Sequence, residues 1–139
     1  MLGRASLGNS SLDRVGLVWV QNPLAMVALI SVELPPQQEW RRFLDQLRPL
    51  SKPLLLWLRG RIWLGATGRG ELAKAIGSSK VVLVVDDDIG RGLATALRWM
   101  GSDVQAFGLG ELDKVDQALG LSPGTALELL VQLNPPASV

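Results

Sequence analysis

Residues 80–108 read KVVLVVDDDIGRGLATALRWMGSDVQAFG, two apolar runs on either side of an amphipathic one. KVVLVV (80–85) is apolar without alternation, the pattern of a strand covered on both faces. It ends on three carboxylates, Asp86, Asp87 and Asp88. GRGLATALRWMG (90–101) then has helical spacing, with Leu93, Ala96, Leu97 and Met100 expected inward and Gly101 as its stop. DVQAFG (103–108) returns to a strand pattern. Strand, helix and strand in such close succession imply parallel neighbours joined by a helical crossover.

The same alternation extends outward. RVGLVWVQ (14–21) is a candidate strand closed by Asn22-Pro23; whether it joins the sheet or extends from it stays open. AMVALISVEL (25–34) is a second, stronger strand. Pro35-Pro36 stop it and can open the helix QQEWRRFLDQL (37–47), in which Trp40, Phe43, Leu44 and Leu47 form one stripe. KPLLLWLRGRIWLGAT (52–67) holds two apolar runs around Arg59-Gly60-Arg61 and reads either as one long bent strand or as a tight hairpin. GRGELAKAIGSS (68–79) is a short helix capped near Thr67 or Gly68. GELDKVDQALG (110–120) and GTALELLVQL (124–133) are the last two helices. The expected fold is an α/β three-layer sandwich with a mainly parallel sheet and helices on both faces. MLGRASLGNSSLD (1–13) reads as a loose leader, leaving residues 14–139 as a single α/β domain.

Composition narrows the chemistry. Apolar residues make up 47% of the 139-residue chain and charged ones 19%, enough for a packed core. A net charge of +1 gives no reason to expect nucleic acid. Cysteine and histidine are both absent, which removes disulfides, thiolate and imidazole metal ligands, persulfide carriers and a histidine general base. The apolar span 15–34 is broken by Gln21, Asn22 and Pro23, short of the ~20 residues a membrane helix needs. No small-residue cleavage motif follows it. A cytoplasmic protein without membrane contact is the expectation.

IWLGATGRGELAKAI (62–76) has the outline of a phosphate-binding loop, with Gly65 and Gly70 at the P-loop spacing. The next two residues are Glu71 and Leu72, where that motif needs a lysine to neutralise phosphate and a hydroxyl to bind magnesium. Two readings remain. Gly65, Thr67, Gly68 and Gly70 form a strand-to-helix turn with Glu71 in the first helical turn, or they are a degenerate nucleotide or anion site built on backbone amides. Asp86, Asp87 and Asp88 raise a second question. Carboxylates after a buried parallel strand suit a hard cation, so magnesium is the one cofactor they suggest. The plainer reading is a solvated strand end with Asp88 capping the next helix.

VVLVVDDDIGRG (81–92) and ALRWMGSDVQAF (96–107) resemble the start of a phospho-receiver domain of two-component signalling, over residues 80–107. That resemblance implies magnesium at the acidic cluster, but no aspartate follows Asp116 to serve as phospho-acceptor. A wider resemblance spans residues 27–120. VALISVEL, PPQQEWRRFLDQL, KPLLLWLRGRIWL, GELAKAIGSS, KVVLVVDDDIGRGL and DVQAFGLGELDKV follow one another as in the DsrE/DsrF/DsrH-like sulfur-relay fold, which includes the TusB-type subunits. Asp87 followed by Arg91-Gly92-Leu93 matches that family's acidic-to-Arg-Gly-Leu spacing, and Gly60 matches its glycine after a strand. Without cysteine the family's sulfur-carrying role cannot transfer. The resemblance then implies a partner or scaffold subunit; Arg91 stands as a ligand-binding candidate.

Five tryptophans complete the candidates. Trp57 and Trp63 are expected in the core; Trp40 and Trp99 lie beside arginines and read equally as interface candidates or as residues at the edge of the core. The leading expectation is a non-enzymatic interaction or scaffold subunit with a protein partner, as a homo- or hetero-oligomer.

Overall fold

The computed structural model describes residues 16–48 and 52–133, so the expected leader at 1–13 lies outside the described residues. Five strands form one sheet: β1 (Leu17–Gln21), β2 (Met26–Ile30), β3 (Leu54–Leu58), β4 (Lys80–Val85) and β5 (Asp103–Gly108). Their spatial order is their chain order. β1 pairs antiparallel with β2, and the other neighbours are parallel. The segment whose place the sequence left open therefore joins the sheet as an edge strand. Among the described residues five helices accompany the sheet: α1 (Gln37–Leu47), α2 (Gly65–Ile76), α3 (Asp88–Trp99), α4 (Leu112–Leu119) and α5 (Thr125–Leu133). A single 3-10 turn, Leu109–Glu111, precedes α4. Among the described residues no helix is long and apolar enough to cross a membrane.

Side-chain alternation along the strands sorts two cores. Ala28, Leu56 and Leu83 face Phe43, Leu72 and Leu93, which come from α1, α2 and α3. Val27, Leu55 and Val82 face the other way, onto Val115 of α4 and Ala126 and Leu129 of α5. The chain is thus the expected three-layer α/β sandwich. Each parallel step moves one strand further in the same direction, so right-handed crossovers leave α1, α2 and α3 on one face. Only after β5 does the chain pass to the opposite face.

In α1, Trp40, Phe43, Leu44 and Leu47 are all buried, as their spacing predicts. Each such side chain removed from water contributes about 1.5–3 kcal/mol, so the stripe outweighs the small propensity differences that separate ordinary residues. At the far corner, Asp116 is buried yet satisfied: its carboxylate accepts from Gly124 N at 3.0 Å and Ala126 N at 2.7 Å. That pair of bonds joins α4 to the start of α5.

Three local expectations are corrected. Residues 52–67 are neither a bent strand nor a hairpin. β3 stops at Leu58, Gly60 turns the chain at φ +95°, and α2 begins at Gly65. Ile62 and Leu64 are buried, so their apolarity reports burial rather than strand pairing. β2 likewise ends at Ile30, level with Leu58 of its partner, and residues 31–34 leave the sheet. On α3 the buried set is Gly90, Leu93, Ala94 and Leu97; Met100 is half exposed because the helix ends one residue before it.

Candidate functional site

The connections leaving β4 and β5 go to opposite faces, and such a divergence opens a crevice at the carboxyl ends of the two strands. A cleft of about 330 Å³ lies there, lined by Val85, Asp86, Asp87, Asp88, Arg91, Gly108 and Leu109. The three aspartates and the arginine singled out from the sequence are therefore brought together.

Two of the carboxylates are already engaged. Asp86 Oδ2 accepts from Gly60 N at 2.8 Å and so ties the end of β3 to the end of β4. Asp87 Oδ1 accepts from Ile89 N at 3.1 Å and Gly90 N at 3.3 Å, making Asp87 the cap of α3. The expectation that Asp88 caps this helix is corrected. Asp87 has the extended backbone of a cap, with φ −154° and ψ −176°, whereas Asp88 is already the first helical residue. Asp87 Oδ2 also lies 3.9 Å from Arg61 Nε, a solvent-exposed pair that adds little. Asp88 is exposed in the first turn, where negative charge suits the helix dipole. Among the described residues no group of three or more acidic side chains is placed to hold a metal ion.

On the other wall, Arg91 donates to the carbonyl of Ala106 and to Glu111 Oε1, both at 3.4 Å. Glu111 Oε1 also accepts from Gly108 N at 2.9 Å, and Glu111 Oε2 from Lys114 Nζ at 3.2 Å. The Gly108 N–H, then Lys114 and Arg91, hold the Glu111 carboxyl below its ordinary range. Sequence reasoning missed Glu111. Its signal was a glutamate three residues after Gly108, ahead of a helical pattern, reaching back to the backbone as in one half of a capping box.

Leu93, Gly60 and Gly92, which help carry the sulfur-relay resemblance, each have a structural duty. Leu93 is fully buried, Gly60 has a positive φ, and a Cβ on Gly92 would lie 3.1 Å from the Trp63 ring.

Gly65, Thr67, Gly68 and Gly70 do not form a loop. They are the first two turns of α2, and the reversal of the chain lies before them, at residues 59–64. None of the four lines the β4–β5 cleft. Glu71 is in the second turn, not the first, and its Oε1 accepts from Trp40 Nε1 at 2.8 Å. The residue that breaks the P-loop pattern thus links α1 to α2.

The tryptophans separate clearly. Trp40 is only 5% exposed and packs on Phe43, so its interface assignment is corrected to a core one. Trp63, expected in the core, is 39% exposed with the Arg69 guanidinium 4.1 Å above its ring. Trp57 is partly buried against the face covered by α4 and α5. Trp99 is 87% exposed. Comparison with protein-family models, curated proteins and solved structures finds no match to this chain, and function has to be read from the residues themselves.

Proposed function

We propose that the protein is a non-enzymatic interaction or scaffold subunit that docks a protein partner around Trp99. One observation carries this reading: the last residue of α3 is a tryptophan 87% exposed, followed by Met100 at 47%. Tryptophan is among the residues that dominate binding energy at interfaces, and methionine is enriched there too. In the cleft, Asp86 and Asp87 are engaged by backbone amides and serve the architecture. The sulfur-relay resemblance fits this reading as well, the partner then being a chain that supplies the cysteine missing here.

Size-exclusion chromatography with light scattering, together with co-purification, tests it on the parent and on Trp99→Ser. The expected result is an assembly that the substitution weakens about 30-fold, the equivalent of ~2 kcal/mol for a central interface tryptophan. A strictly monomeric parent with no bound chain removes the reading.

The cleft supports a second reading, a magnesium-responsive domain. A hydrated magnesium ion keeps several waters and needs only one or two carboxylates, and Asp88 is exposed at this cleft. A magnesium titration followed by tryptophan fluorescence decides it. No response in the parent, or an equal response in Asp88→Asn, eliminates this alternative.

A further inference from the structure

Among the described residues β5 pairs only with β4 and forms an edge of the sheet. An edge strand presents backbone groups on which another strand can pair. Here that edge is held by side chains. Arg98 Nη1 donates to the carbonyl of Val104 at 3.0 Å, and Arg91 Nη1 to the carbonyl of Ala106 at 3.4 Å. Carbonyls of alternate strand residues point to the same side. Guanidinium groups on exposed arginines cannot reach between two paired strands, so both carbonyls face away from β4. Gly108 gives its N–H to Glu111 on that same edge, at 2.9 Å.

The two arginines are seven residues apart, about two helical turns, and so rise from one stripe of α3. Between them, Thr95 Oγ1 donates to the Arg91 carbonyl at 3.3 Å and accepts from Arg98 Nη2 at 3.2 Å. Arg91 is steadied from the other side by Glu111. Both guanidinium groups are therefore positioned by further contacts rather than left free in solvent.

From this geometry we infer that Arg91 and Arg98 guard the β5 edge against pairing with β5 of a second copy of this chain. A two-fold axis would set two β5 strands antiparallel and present the same groups from each copy. The groups that would meet are those of Val104 and Ala106, whose carbonyls the arginines hold. Trp99 takes no part in these hydrogen bonds, and the inference does not depend on the proposed function.

The test is the double variant Arg91→Ala/Arg98→Ala, made in the parent and in a Trp99→Ser background, with mass measured by light scattering and fold by circular dichroism. The mass is expected to rise about twofold with the fold retained. Adding Ala106→Pro removes an edge N–H while sparing the ladder to β4, and is expected to return the mass to its starting value. Arg41→Ala/Arg42→Ala removes the same charge from α1 and is expected to leave the mass unchanged. An unchanged mass in the folded edge variant overturns the inference, as does association that survives Ala106→Pro or also follows from Arg41→Ala/Arg42→Ala. Should the double variant not fold, Arg98→Ala alone frees the Val104 carbonyl. It is expected to give a smaller shift in the same direction, and no shift overturns the inference.

Discussion

α2 and α3 follow neighbouring parallel strands and start at the same end of the sheet, yet they begin in opposite ways. α3 is capped by a carboxylate: Asp87 takes two backbone N–H groups of the first turn. α2 has no side-chain cap and is entered through Leu64 at φ 71° and Gly65 at φ 66°. Leu64 is the one non-glycine residue with positive φ among the described residues. That conformation costs about 1–2 kcal/mol, and burial of the Leu64 side chain, worth about 1.5–3 kcal/mol, offsets it. The glycine-rich stretch that resembles a phosphate loop is therefore the opening of a helix, entered after the chain has reversed at residues 59–64. The acidic stretch that resembles a metal site caps a helix and joins two strand ends.

The two helix starts also treat glycine differently, and this gives the largest expected effect. A Cβ on Gly90 would lie 2.6 Å from Val85 Cγ1, so Gly90→Ala is expected to destabilise by about 3 kcal/mol in urea unfolding. A neutral result would mean that α3 does not rest on the end of β4. Asp87→Ala should cost about 1–2 kcal/mol by the same measurement, while Asp87→Asn, which can still cap, should cost much less. Equal losses from the two would point to the negative charge itself as the working feature. Glu71→Ala removes the acceptor of the Trp40 indole and should cost about 1 kcal/mol, with a change in tryptophan emission. Glu71→Gln should retain most of both. The smallest effect has the opposite sign. Nothing lies within 4 Å of a Cβ on Gly70, so Gly70→Ala should stabilise by about 0.5–1 kcal/mol. Destabilisation there would contradict the helical start of α2.

The sequence was most legible where one pattern runs without interruption. α1, β4 and β5 occupy the segments their patterns predict, 37–47, 80–85 and 103–108. It was least legible where a buried residue lies outside any regular element. Ile62 and Leu64 read as strand because apolarity signals burial, and burial alone does not distinguish a paired strand from a coil tucked between layers. The two arginine-flanked tryptophans were weighed equally, although their phases differ. Trp40 shares the stripe of Phe43, Leu44 and Leu47, whereas Trp99 lies off the line of Leu93 and Leu97. In the candidate site, the gathering of Asp86, Asp87, Asp88 and Arg91 was legible, because all four lie within one strand-to-helix passage. Glu111 and Gly60 were not, because their partners there come from other elements.

The alternation of strands and helices, and with it the three-layer class, is written in the sequence. The sequence also excluded thiolate and imidazole chemistry, since that follows from which residues are present. Periodicity is local, so each element carries its own evidence. The sequential strand order, the face each helix takes, the place of the crevice and the engagement of the carboxylates came from the packed chain instead. Those outcomes depend on contacts across long stretches of chain. Gly60 meets Asp86 across 26 residues, Trp63 meets Glu33 across 30, and Trp40 meets Glu71 across 31. No window of the sequence short enough to show a period contains both partners of such a bond.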